Sequence, residues 1–274
     1  KAINKRSKAI FLTHILGLNA LTPKILNLVK KYNIDLIEDC CESHGATFKK
    51  KKIGTYGNQS NFSFYYAHHM STIEGGMIST NNFKIYENIR MLRSHGMTRE
   101  ASSKQTINYF KNKYKDLNKD FIFSFPSYNL RSTELNANLG LTQLKKLDQN
   151  NKIRYKNFEL FLKKLDHNKF YTKFNTTGSV NYGLIILLNK NFRTLKFRDK
   201  LEKILFKNNI EYRRGMSGGG NQLRQPYIKN YIPHFNKKNF ENVEIVHKYG
   251  YYIGNYPYLT KSKIIKICEL INKI

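Results

Sequence analysis

Two apolar runs joined by a clearly signalled helix constrain this chain more than any other feature. Ala9 to Leu16 is rich in strand formers and is closed by Gly17. Thr22-Pro23 then opens a helix, an N-cap residue followed by proline at the first helical position. Ile25, Leu26, Leu28 and Val29 form one stripe, and Lys30 and Lys31 stand near the C-terminal end, where the dipole favours cations. Ile34 to Ile37 reads as a second strand, followed at once by Glu38-Asp39. Strand, helix and strand make a βαβ unit, hence a parallel sheet with a right-handed crossover. Ligands of such sheets sit beyond the carboxyl ends of the strands, which places Asp39 where chemistry is done.

Downstream, Gly45, Gly54 and Gly57 punctuate a stretch leading to a short strand, Asn61 to Tyr65. A loop carrying His68 and His69, a turn at Glu74-Gly75-Gly76 and a strand from Met77 to Ser79 come next. Asn82 to Ser94 has helical periodicity through Ile85, Ile89 and Leu92, whereas residues 100–120 are Lys/Asn-rich and read as a mobile surface loop. Thr133 to Leu147 reads as an amphipathic helix with Leu135, Leu139, Leu144 and Leu147 among its apolar positions, continuing to about Leu165. The expected fold class is α/β: a mixed, mostly parallel sheet flanked by helices over residues 1–150, then a smaller C-terminal α+β domain over 151–274. That second part shows a strand at 182–188, a helix at 198–208, a Gly-rich loop at 215–220 and a terminal helix after Thr260.

Charge bears on partners. The chain holds 48 Lys+Arg against 19 Asp+Glu, a net +29, and so attracts polyanions. The basic residues are spread along the whole length, and no DNA- or RNA-reading motif accompanies them, so solvated lysines are expected in place of a nucleic-acid interface. An anionic small substrate would use part of this charge. Cys40, Cys41 and Cys268 give neither a CxxC pair nor an even disulfide framework, which points to a reducing, cytoplasmic setting. The longest apolar runs, such as Leu184 to Leu188, fall short of the roughly 20 residues of a bilayer span, so no membrane partner is expected. Lys1-Ala2-Ile3-Asn4-Lys5-Arg6 lacks an apolar core and is not read as a signal peptide.

Asp39 alone would serve equally well to cap a neighbouring turn. The segments C-terminal to it change the reading: Asp39-Cys40-Cys41-Glu42-Ser43-His44-Gly45, Gly54 and Gly57, Phe62-Ser63-Phe64, His68-His69, Glu74-Gly75-Gly76 and Arg93-Ser94-His95-Gly96. Tyr128-Asn129-Leu130-Arg131, Glu134, Ala137, Gly140 and Gln143-Leu144 complete the series. In this order these segments resemble the DegT/DnrJ/StrS family of sugar aminotransferases, enzymes of the fold-type-I, pyridoxal 5'-phosphate (PLP) dependent class. Two positions depart from that family. His68, five residues after Ser63, stands where the family carries the lysine that tethers the cofactor, and Ile73 replaces the first glycine of its GEGG turn.

An imidazole cannot tether the cofactor, but near neutral pH it is a competent general base. With Glu42 three residues after Asp39, this looks like the histidine-bearing 3-dehydratase branch of the family. The resemblance implies noncovalent PLP or its amine form, pyridoxamine 5'-phosphate (PMP), and 3-dehydration of a nucleotide-linked 4-keto-6-deoxy sugar. An amino donor such as glutamate would regenerate the amine. It implies His68 as the catalytic base and Asp39, Glu42, Ser63 and Asn129 as cofactor-binding residues. Asp39 would meet the pyridine nitrogen, Ser63 the phosphate, and Asn129 the phosphate of a partner subunit's cofactor, in a homodimer. His95, Arg131 and Arg224 are candidate substrate contacts. Arg213 and Arg214 stand equally well as surface residues or anion contacts.

No iron–sulfur cluster is expected, because a cluster takes about four thiolates at defined spacing. No metal site is expected from His68 and His69, since neighbours on an extended chain point to opposite faces. Measured against the family, the segment before Lys1 is missing, so the chain is expected to be a fragment or a truncated product. Three alternatives stay open: a 4-aminotransferase with an unusual base, an inactive truncated homologue, and a basic protein that associates with nucleic acid.

Overall fold

The first strand pair forms as the pattern requires. In the computed structural model, which describes residues 2–231 and 240–274, β1 (Ala9–Thr13) and β2 (Asp35–Asp39) run parallel, joined through α1 (Pro23–Tyr32). Thr22 caps α1 by accepting from the Ile25 N–H at 3.2 Å, and Asn33 ends it in the left-handed conformation. β1 stops at Thr13. The expected continuation to Leu16 is instead a 3₁₀ turn over Ile15–Gly17, with Leu16 at φ 52.

A two-residue hairpin, β3 (Thr47–Phe48) and β4 (Lys51–Lys52), precedes β5 (Gln59–Ser63) and β6 (Gly76–Thr80). The larger sheet has the order β1-β2-β5-β6, with β5 parallel to β2 and β6 antiparallel to β5. Helix α2 (Phe83–Arg93) comes next, capped by the Asn82 side chain.

The stretch 100–120 departs from the expected loop by forming α3 (Lys104–Lys113). Its N-terminus is built by tertiary contact. Buried Glu87, on α2, accepts from the Ser102 N–H at 2.8 Å and from the Ser102 hydroxyl, and Ser103 caps the first turn. Helix α4 (Glu134–Lys164) is one continuous element. Of the leucines named as its apolar positions, Leu135, Leu139 and Leu144 are exposed by 80%, 44% and 55%.

Then come β7 (Gly183–Leu187), α5 (Leu195–Lys207), β8 (Tyr212–Arg214), the short α6 (Ile228–Tyr231), α7 (Glu241–Tyr249), β9 (Gly250–Gly254) and α8 (Lys261–Asn272). Strands β7, β9 and β8 form an antiparallel sheet in that order.

The chain divides into two compact units. One gathers Lys1–Thr13, Leu21–Cys41 and Ile53–Lys145; the other gathers His14–Ala20, Glu42–Lys52 and Lys146–Ile274. Two short excursions from the first part, His14–Ala20 and Glu42–Lys52, belong to the second unit. The second unit holds the larger apolar core. Phe158, Phe161, Phe170, Leu184, Ile186, Leu201, Leu205, Tyr251, Ile264 and Ile271 are all wholly buried there. Burying one such side chain contributes roughly 1.5–3 kcal/mol. Among the described residues no helix is long and apolar enough to cross a membrane.

Candidate active site

Strand alternation sorts the two acids at the end of β2. Glu38 is fully buried, and its carboxylate accepts three backbone N–H groups, from Gly54 (2.7 Å), Tyr56 (2.8 Å) and Gly57 (2.7 Å). It thereby folds the loop between β4 and β5 onto the sheet. Gly57 has to be glycine, since a Cβ there would lie 2.4 Å from the Leu36 carbonyl oxygen. Motif reading passes over Glu38; its signal is the pairing of an acid at a strand end with a Gly-punctuated loop 16 to 19 residues on.

Asp39 points to the other face and is half-buried. Its Oδ1 accepts from the Cys41 N–H at 3.2 Å and from Asn61 Nδ2 at 3.0 Å, and its Oδ2 from the Thr13 hydroxyl at 3.4 Å. Neither Asn61 nor Thr13 stands out in the sequence. Behind it, burial and the flanking carboxylates of Glu38 and Asp39 raise the Cys40 thiol far above its ordinary range, so it stays protonated and inert.

Strand β5 runs parallel to β2 and so ends at the same edge of the sheet. Ser63 is its last residue, on the face that Asn61 shares. The Ser63 hydroxyl accepts from the Tyr65 N–H at 3.3 Å, and the chain turns there, with the His68 N–H donating to the Tyr65 carbonyl at 3.0 Å. His68 is half-buried, its ring 5.7 Å from that of Tyr65 in an edge arrangement. Its Nδ1 lies 3.3 Å from the Ser63 carbonyl oxygen. A carbonyl only accepts, so this contact places the hydrogen on Nδ1 and leaves the lone pair of the neutral ring on Nε2. A histidine held in that tautomer is arranged to take a proton.

The loop bearing His68 is clamped at its base. The Phe64 N–H donates to the Gly75 carbonyl (2.8 Å), the Thr72 N–H to the Phe64 carbonyl (2.9 Å), and Asn136 Nδ2 on α4 to the Thr72 carbonyl (2.8 Å). Ile73, where the resembling family carries glycine, has φ 71. A β-branched residue there holds strain of order 1–3 kcal/mol.

Asp39, Ser63 and His68 thus come together at one edge of one sheet. Glu42 packs in the second unit, where it accepts from the Leu16 N–H at 2.7 Å. Asn129 is exposed on the strand-like segment that pairs with Ser94, and its Oδ1 accepts from Arg131 Nε at 3.0 Å. His95 is exposed in the turn after α2, where its N–H donates to the Tyr128 carbonyl at 2.9 Å.

Arg224, an expected substrate contact, lies in the second unit. Its guanidinium grips Glu244 through Nε to Oε1 at 2.8 Å and Nη2 to Oε2 at 2.5 Å. Arg214 likewise pairs with Glu202 at 3.0 Å. The Arg224 hydrogen bonds hold the Glu244 carboxyl down at about 2. Because that lies below the unfolded value of about 4.3, the pair's stabilisation is complete above about pH 4.3 and is lost as pH falls toward 2. Glu244→Gln is expected to remove this acid-side loss, which unfolding midpoints recorded across that interval will show. Equal acid sensitivity in both proteins would contradict the assignment.

Known proteins share this chain's fold and part of its sequence. GDP-4-keto-6-deoxy-D-mannose 3-dehydratase of Escherichia coli O55:H7 is 33% identical over 257 residues, covering 93% of this chain and 65% of that protein. This chain therefore spans just under two thirds of that relative's length. The solved structure of the E. coli enzyme with bound hydrated PLP superposes with a TM-score of 0.84 at 31% identity, covering 98% of this chain and 68% of that one. A second dehydratase structure, holding a trapped PLP-glutamate geminal diamine, gives a TM-score of 0.85 at 30% identity, covering 98% and 69%. The model of the DegT/DnrJ/EryC1/StrS aminotransferase family matches residues 1–272. With its acid, serine and histidine set along the same sheet edge, the chain belongs to the DegT/DnrJ/EryC1/StrS aminotransferase family.

Proposed function

We propose that this protein carries out PLP/PMP-dependent 3-dehydration of a nucleotide-linked 4-keto-6-deoxy sugar, with the cofactor held noncovalently and glutamate as amino donor. The observation that carries the reading is His68. No lysine stands anywhere between Phe62 and Gly76, and the imidazole in that loop carries its hydrogen on Nδ1, toward Ser63, with the lone pair on Nε2. A base is present there and a tether is not.

The residues fit the cofactor by the chemistry of their donor set. Among the described residues Asp39 Oδ2 has one long contact, to the Thr13 hydroxyl, and it can take the N–H of a protonated pyridine. The Ser63 hydroxyl uses a lone pair on Tyr65, so its hydrogen remains for a phosphate oxygen. When bound, the cofactor supplies an electron-accepting ring that lets the C3 hydroxyl of the sugar depart. Asp39 holds the proton at the ring nitrogen. His68 Nε2 takes a proton beside the reacting carbon and, once charged, returns it to the departing hydroxyl. Arg131 and the wider positive charge of the chain favour a diphosphate substrate. The same reading has the protein act as a homodimer. The exposed leucines of α4 form apolar surface of the kind such a contact covers.

The test is incubation of the protein with PLP, glutamate and GDP-4-keto-6-deoxymannose. Ammonia and a 3-deoxy sugar are expected in equal amounts. A 4-amino sugar formed without ammonia would replace this reading by an aminotransferase.

A further inference from the structure

Thr13, Asp39 and Asn61 lie in one row across three strands. Thr13 is the register partner of Asp39 on β1, and Asn61 is its register partner on β5. Registered neighbours in a parallel sheet point to the same face about 4.8 Å apart, so the two flanking side chains reach the carboxylate from opposite sides.

The two oxygens of Asp39 are loaded unequally. Asn61 directs Nδ2 at Asp39 Oδ1 (3.0 Å) and at Cys41 Sγ (3.2 Å). An amide nitrogen has two hydrogens, so both are committed and the amide is fixed in one orientation. The Cys41 N–H donates to the same Oδ1 at 3.2 Å. Oδ1 therefore takes two donors and has both lone pairs in use. Oδ2 takes, among the described residues, the Thr13 hydroxyl at 3.4 Å, long for an O–H···O bond.

We propose that Asn61 is a positioning residue for Asp39, pinning Oδ1 so that Oδ2 is the oxygen presented to the ring nitrogen of the bound cofactor. This rests on the reading of the site as a PLP/PMP site. Asn61 touches neither the ring nor the substrate; it acts through the carboxylate. Without its amide, Oδ1 keeps one backbone donor and the carboxylate plane is free to turn about its last torsion. A charge-assisted hydrogen bond to the ring nitrogen then loses alignment, and the ring gives up its proton more readily.

The experiment uses the protein as its gene encodes it, loaded with PMP carrying ¹⁵N in the ring, whose chemical shift separates protonated from neutral nitrogen. Asn61→Leu keeps the branching at Cγ and removes the donor; Asn61→Ala takes its place should the leucine variant not fold. The expected result is a drop of about one unit in the ring-nitrogen pKa and about tenfold weaker PMP binding, the change worth one such contact. A folded variant whose ring nitrogen titrates as in the parent overturns the proposal, even if its melting temperature falls. Failure of the parent protein to bind PMP, or a neutral ring nitrogen in the parent, overturns the cofactor reading and the proposal with it.

Discussion

Replacing His68 by asparagine is expected to lower the dehydration rate by about 10²–10⁴-fold, the usual contribution of a positioned general base. Asparagine keeps a polar side chain of similar reach and has a hydrogen to donate to the Ser63 carbonyl, which His68 Nδ1 meets at 3.3 Å. What it lacks is a nitrogen able to accept and return a proton near neutral pH. Cofactor affinity is expected to stay within a few fold, since the imidazole is not a tether. Ammonia release in the steady state, together with PMP binding measured separately, checks both halves. An unchanged rate in the folded variant would remove His68 from the chemistry. His68→Lys is the instructive partner: restoring an amine should let borohydride fix the cofactor's mass onto the chain, which the parent protein will not show.

Asp39→Asn should cost about 10²–10³-fold in turnover, as expected for the loss of one preorganised electrostatic contact in a site. The amide reaches to the same place but is neutral, so nothing holds a proton on the ring nitrogen. Unlike His68, Asp39 is also expected to matter for binding, because a charge-assisted contact becomes a neutral one. The signature is a fall in both PMP affinity and turnover per bound cofactor, with unfolding stability nearly unchanged. That last expectation comes from the neighbouring Glu38, which keeps its three backbone donors and so maintains the loop. Full turnover in Asp39→Asn would mean that the ring proton is held elsewhere.

The parts of this molecule legible in sequence are those whose signals are local. Thr22-Pro23 and the stripe on α1 suffice for the crossover helix, and the ordered motifs that resemble the family imply a common site for Asp39, Ser63 and His68. Helix α3 is not legible in this way. Its composition is that of a loop, and what starts it is the Glu87 carboxylate, 15 residues before Ser102. Strand β8, Tyr212-Arg213-Arg214, is three residues long with two of them charged, and it exists because β9 pairs with it. Thr13 and Asn61 escape for a related reason: their place beside Asp39 depends on the register of three strands, which no single segment encodes. The Arg224–Glu244 pair is likewise not legible, because its partners lie 20 residues apart.

The adjacency of Glu38 and Asp39 carries a lesson about how this site can be damaged from afar. One carboxylate is an anchor and its neighbour is, on the proposed function, a reagent, and only the pleat of β2 decides which is which. If the pairing of that strand shifted by one position, the anchor would face the cofactor and the reagent would be entombed, with every atom of the site still present. Inherited or engineered changes along β1, β2 or β5 can therefore silence the protein without touching a single residue that does its chemistry. Alignment of the strands is itself a part of the active site.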